Sequence, residues 1–435
     1  MRIYHLLLES TKYSLKLIKS QAWWIVLWAS LIFTFQWWIL PGWTQQPITI
    51  KTLIRADEAQ QLEPLVTKFN QQHPDIKFQI VEAPSDSNQV EDLYTSSFLL
   101  GNSPFDLVYM DIVWTPKFAA AGWLQDLSDR LSQNEAQKYL KGDIEGGMYE
   151  NKLYRLPFRS DAGMLYYRQD LLDKAGYAAP ETFQELLEIS QDLQQQGLVE
   201  WGYVWQGKQY EGLAAMFVEI LQGSGAFWVD PDTLEVGLDR PQAIEAVEFL
   251  RQAIALQVSP PGVTTYAEEE TRLLFQNGKV AFLRNWPYVY SLALDSPIAG
   301  KYSIKPMVHA VGQSSGATLG GWGIGIAKTS KHPDAAWEVI KFLSSEASQR
   351  EFILATGFVP SRVALFNDKA IVAKYNYYPK LLGVVQSSAL RPPISQYAQA
   401  SDILQRYLSA AITGKMTPEK AMQAAAIETR NLLAS

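Results

Sequence analysis

The chain has 435 residues, room for two or three domains at roughly 100 to 200 residues each, which excludes a miniprotein stapled by disulfides. Hydrophobic residues make up 47% and charged residues 19%, the balance of a folded globular protein and not of a disordered or fibrous one. The 38 basic and 45 acidic residues leave a net charge of −7, which argues against a nucleic-acid partner, since that affinity rests on Lys and Arg clustered against phosphates.

From the start of the chain, residues Ala22 to Leu40 form a nearly unbroken apolar run, AWWIVLWASLIFTFQWWIL. As a helix it would extend about 28 Å, close to the thickness of a bilayer core. Trp23 and Trp24 at one end, and Trp37, Trp38 and Trp43 at the other, suit the two membrane interfaces. Arg2, Lys12, Lys16 and Lys19 precede the run against the single acid Glu9, which predicts a cytoplasmic N-terminus with the rest of the chain outside. No small-x-small pattern follows Leu40, so residues 1–43 read as a basic segment and an uncleaved signal anchor more readily than as a cleaved signal peptide.

Beyond Ile48 short apolar strands alternate with amphipathic helices, the pattern of an α/β protein. PITIKTLIR reads as a strand. In the helix that follows, Leu62, Leu65, Val66 and Phe69 fall at i, i+3, i+4 and i+7, and it stops before His73-Pro74. KFQIVEA is the next strand, NQVEDLYTSSFLLGN a helix, and PFDLVYMDI a compact apolar strand ending at Asp111. GMLYYRQDLL runs from strand into helix. PETFQELLEISQDLQQQG is a helix with a Thr182–Glu185 capping box and Gly197 as its stop. PQAIEAVEFLRQAIALQ and YAEEETRLLFQNG are helices, KVAFLRN a strand, TLGGWGIGIAK alternates glycine with apolar residues at period two, and residues 332–357 form one long helix or two. With neither an internal repeat nor a low-complexity linker, two α/β lobes have to share a cleft or cross over more than once.

A marked catalytic constellation is missing. There is no P-loop or G-x-S-x-G elbow, and the glycines 320, 321, 323 and 325 lack dinucleotide-fingerprint spacing. Cysteine is absent, and the four histidines, His5, His73, His309 and His332, lie far apart. This disfavours thiol chemistry, metal sites, disulfides and a lipidated cysteine anchor, and no cofactor is expected. Instead, Trp, Asp and Arg recur beside turn signals: Asp111 to Trp114, Arg159 and Asp161, Trp286 before Pro287, Gly321-Trp322, and Arg391 before Pro392. This mixture suits sugars, whose C–H face stacks on indole and whose hydroxyls bond to carboxylate and guanidinium groups.

The runs FRSDAGMLYYRQDLLDKAG with PETFQELLEISQDL, EEETRLLFQNGKVAFLRNWPYVYSL, and GATLGGWGIGIAKTSKHPDAAWEVIKFLSSEASQREF resemble the family 1 extracellular solute-binding proteins of ABC transporters, and within it the trehalose/maltose-binding group. The resemblance covers most of residues 48–435. It implies a periplasmic-binding-protein type II fold, two α/β lobes joined by hinge crossovers over an interlobe cleft, here preceded by one N-terminal transmembrane helix. The expected division is 48–158 plus 318–345 for the N-lobe and 159–317 plus 346–435 for the C-lobe.

Carried over by motif, Asp111, Asp161, Trp286, Gly321, Trp322 and Arg391 are expected to line the sugar site, with Glu58 as a weaker match. Arg159 stands where the disaccharide binders place an aromatic residue, which leaves room for a smaller or more polar glucoside. Trp286 and Trp322 are expected to face solvent in the open cleft. The implied function is non-enzymatic capture of an α-glucoside or similar small sugar, of the trehalose, maltose, sucrose or glucosylglycerol class. A monomer would deliver it to ABC permease subunits and their ATPase at the extracytoplasmic face of the membrane. A membrane-tethered sugar sensor and a glycoside hydrolase are the alternatives.

Overall fold

The computed structural model describes residues 46–231 and 233–434. The expected basic segment and membrane anchor, residues 1–43, lie outside the described residues, and among the described residues no helix is long and apolar enough to cross a membrane.

Two four-stranded sheets organise the described chain. The first runs in the order Val359–Pro360, Leu156–Ala162, Leu319–Ile326, Leu107–Asp111, antiparallel throughout. A parallel pair, Ile48–Arg55 with Ile76–Ala83, lies beside it, joined where the Asp106 amide donates to the Lys51 carbonyl at 2.9 Å. The second sheet has the order Ser303–Lys305, Met164–Tyr167, Val280–Asn285, Trp201–Val204, with only the last pair parallel.

The expected elements form for the reasons their patterns give. In helix Ala56–Gln72 the periodic residues Leu62, Leu65, Val66 and Phe69 are all buried, and the chain leaves the helix just before Pro74. Helix Phe183–Gln195 carries the Thr182–Glu185 capping box in full. Residues 333–356 form two helices, Pro333–Leu343 and Glu346–Thr356. Ser345 caps the second and left-handed Gly357 ends it.

Three chain segments connect the sheets. The first is nearly straight: Leu156–Ala162 in one sheet continues through Gly163 into Met164–Tyr167 in the other. A Cβ on Gly163 would stand 1.6 Å from Glu219 Oε1 and 2.4 Å from Arg284 Nη2, so only glycine lets the crossover pass this buried ion pair. The second is the stretch between Lys305 and Leu319. The third passes through residues 388–391 and pairs with the second, Leu319 N donating to Ala389 O at 2.8 Å and Ala389 N to Ala317 O at 3.0 Å.

The pairing differs from the expected lobe boundaries in two places. Residues 159–162 belong to the first sheet, because the whole strand Leu156–Ala162 pairs with Leu319–Ile326. Residues 346–360 also lie against that sheet: Phe352 packs on Phe158 with ring centroids 5.0 Å apart, and Val359 and Pro360 pair with Ser160 and Arg159. The C-terminal helices Tyr397–Ile412 and Pro418–Leu433 instead pack beside the second sheet's helices, with Ser401 Oγ donating to Glu211 and Arg430 bonded to Asp239.

Candidate functional site

The ends of the first sheet's strands and the helices of the second sheet enclose a cleft of about 460 Å³. Asp111, Arg159, Asp161, Trp286, Gly321, Trp322 and Arg391 all line it. Register explains the convergence on one side: in the first sheet Trp322 pairs with Asp111 on one flank and with Arg159 on the other. Gly321 has a φ of 136°, and a Cβ there would stand 2.7 Å from Arg159 O. At this point glycine lets strands Leu319–Ile326 and Leu156–Ala162 close up under the cleft floor.

Glu58 does not line the cleft. It is buried behind Arg159, receiving Arg159 Nε at 2.8 Å and Nη2 at 3.2 Å, and it also accepts a hydrogen bond from the Tyr109 hydroxyl. Burial alone would raise the Glu58 carboxyl, but the Arg159 charge and hydrogen bonds outweigh it and hold it below the usual range. Arg159 Nη1 donates to Asp161 Oδ2 at 2.8 Å. Asp161 is only 7% exposed, its Oδ1 has no hydrogen-bond partner among the described residues, and burial, partly offset by Arg159, pushes its carboxyl up to about 7. One acceptor atom beside the cleft wall is thus buried and unsatisfied.

Arg391 stands between the two walls. Its Nη2 donates to Asp111 Oδ1 at 3.0 Å and its Nη1 to Glu211 Oε1 at 2.6 Å, while Nε has no partner among the described residues. Asp111 ends its strand and also caps the next turn through Val113 N. Glu211 opens helix Glu211–Gly223 and is bonded by the Tyr397 and Ser401 hydroxyls. Two charged hydrogen bonds therefore tie the third crossover to both sides of the cleft.

The two tryptophans differ from each other. Trp286 is half-buried and donates through Nε1 to Glu268 Oε1 at 3.3 Å. One side of its ring is covered by the Arg284 guanidinium at 4.2 Å, whose charge Glu219 balances. Trp322 does not face solvent as expected. It is 5% exposed, stacked on Tyr109 at 5.2 Å and set edge-on to Trp114 at 5.3 Å, with the Arg55 and Arg159 guanidinium groups 5.4 and 5.8 Å from its ring. Its strand lies in the middle of the first sheet, where every residue is buried.

Sequence reasoning missed most of the second wall. Glu211, Tyr210, Lys208, Glu268, Glu269 and Tyr288 also line the cleft, as do Arg55 and Phe358 on the first wall. Tyr210 donates to Glu268 and Tyr288 to Glu269. A signal was present in the three consecutive acids Glu268 to Glu270, more than a helix start needs for its dipole. The lining holds seven carboxylates against four cations, an array of hydrogen-bond acceptors for hydroxyl donors. Among the described residues no group of His, Asp and Glu side chains is placed to hold a metal ion.

Residues 55–350 match the family model described as bacterial extracellular solute-binding protein. A probable ABC transporter-binding protein of Deinococcus radiodurans is 31% identical over 354 residues, 79% of this chain and 84% of that one. The maltose-bound MalE3 of T. maritima superposes with a TM-score of 0.84 at 36% identity, covering 88% of this chain and 100% of the other. An ABC transporter solute-binding protein of Agrobacterium radiobacter K84, solved with ribitol, shares the fold at 24% identity with a TM-score of 0.80, over 88% of this chain and 98% of its own. The chain belongs to the bacterial extracellular solute-binding proteins, binding components of ABC transporters and not enzymes.

Proposed function

We propose that this protein is the sugar-binding subunit of an ABC importer, taking an α-glucoside or a similar small sugar into the cleft and presenting it to the permease. The observation that carries this reading is the meeting of a half-buried Trp286, the unpartnered Oδ1 of Asp161 and the Arg391 pairs around one hollow. Stacking on indole together with two or three charged hydrogen bonds, at about 1.5 to 3 kcal/mol each, is enough for micromolar affinity after the losses of association. The maltose in the MalE3 structure and the ribitol in the Agrobacterium structure support a polyhydroxylated ligand and leave its class open among disaccharides, glucosyl polyols and alditols.

The lobes of this mechanism are the bodies around the two sheets, with Glu58, Asp111, Arg159, Asp161, Gly321 and Trp322 on the first, Trp286 on the second and Arg391 at the hinge. Ligand shifts the balance toward a closed form only by its greater affinity for that form. The apolar segment 22–40 tethers the monomeric protein to the outer face of the cytoplasmic membrane, where the permease reads both lobe rims.

Tryptophan fluorescence titrated with trehalose, maltose, sucrose, glucosylglycerol and mannitol tests the reading. A saturable change with at least one of them is expected, and Trp286→Ala weakens that affinity at least tenfold. A flat response to every sugar from folded protein contradicts it.

A further inference from the structure

The first wall of the cleft contains two aromatic side chains, Phe358 and Trp322, and neither offers a clear face. The Arg159 guanidinium lies 4.4 Å from the Phe358 ring centroid and 5.8 Å from that of Trp322. At 4.4 Å a planar cation is in direct contact with the ring, so no sugar ring fits between them. Arg159 is also fixed in place. Its Nε and Nη2 grip both oxygens of Glu58 and its Nη1 holds Asp161, a forked arrangement that only the planar guanidinium satisfies.

On the second wall Trp286 has one side against Arg284, which leaves it a single side for a ligand. The mouth is narrowed as well: Lys208 Nζ, on the second wall, stands 3.8 Å from Asp86 Oδ2 on the first. The cleft thus supplies one indole platform, with Tyr210 and Tyr288 tied by their hydroxyls to Glu268 and Glu269 on the same wall, a polar first wall and a restricted rim.

Resting on the sugar-binding reading, we infer that Arg159 sets the length of the ligand: by covering the first wall's aromatic faces it limits the cleft to a sugar with one stacked ring and a short polar remainder, and excludes linear oligosaccharides. The remainder bonds to the Asp161 carboxylate and to the Arg391 pairs, where the buried Asp161 Oδ1 and Arg391 Nε have no hydrogen-bond partner among the described residues.

Calorimetric titration of the full-length protein in detergent with glucose, maltose, trehalose, maltotriose and maltotetraose tests this. For the wild type, maltotriose and maltotetraose bind at least tenfold more weakly than the best one- or two-ring sugar. In Glu58→Gln/Arg159→Ser, which removes the guanidinium together with the Glu58 charge and takes the Nη1 partner from Asp161 alike for every sugar, the ratio of maltotriose to disaccharide affinity rises at least tenfold. Wild-type affinity that holds or grows with chain length overturns the inference while leaving sugar binding intact. So does a folded double variant with an unchanged ratio. Silence from these five and from sucrose, glucosylglycerol and mannitol overturns the sugar reading and this inference with it. Should the double variant fail to fold, the wild-type length profile decides alone.

Discussion

Asp161 reaches the cleft from the end of strand Leu156–Ala162. Burial raises its carboxyl to about 7, against the pull of Arg159 and with the charge of Glu58 adding to the rise and that of Arg284 opposing it. A sugar hydroxyl that donates to Oδ1 favours the ionised form, so binding lowers this pKa and releases a proton. The sign follows from linkage: affinity is fully present above about pH 7 and is lost as pH falls through it, by about tenfold between pH 8 and pH 6. Calorimetry at the two pH values checks this, and Asp161→Asn, which cannot ionise, is expected to bind weakly with no such slope. Asp161, Trp286 and Arg391 were legible in the sequence because each sits beside a turn signal. The role of Glu58 was not, since its partner Arg159 is 101 residues away and sequence spacing carries no trace of so distant a pair. The exposure expected of Trp322 failed for a related reason: two arginines and two aromatic rings that cover it come from other strands and turns.

At the scale of elements, long periodic segments were readable and short ones were not. The capped helix Phe183–Gln195 and the strand Val280–Asn285 carry their own start and stop chemistry. Strands Ser303–Lys305 and Val359–Pro360, three and two residues long, are too short for alternation to register, and they exist through pairing alone. The glycines of Leu319–Ile326 looked like a sequence oddity and are a packing requirement, because a Cβ at Gly323 would stand 2.5 Å from Arg155 Nε and one at Gly320 3.2 Å from Trp286. Gly163 is the sharpest case. Gly163→Ala has to displace Glu219 from Arg284, a buried ion pair, and is expected to destabilise the protein by about 3 kcal/mol, read as a lower denaturant midpoint. An unchanged midpoint would show that the crossover has room the geometry denies.

For the whole molecule, order along the chain predicted two α/β bodies, and the three crossovers explain how they can share a cleft without a loose linker. The boundaries between them could not be read, because a single strand, Leu156–Ala162, carries the chain to the edge of one body and the next four residues enter the other. The acidic surplus, −7 over the chain and visible again in the cleft lining, fits a neutral hydroxyl-rich guest and opposes an anionic one. A crystal structure with the sugar that titrates most tightly shows whether the cleft holds it between Trp286 and the Asp161 carboxylate. The expected result is a ring stacked on the side of Trp286 away from Arg284, with a hydroxyl within hydrogen-bond distance of Asp161 Oδ1. A sugar bound elsewhere on the protein, or one in the cleft that touches neither residue, contradicts it.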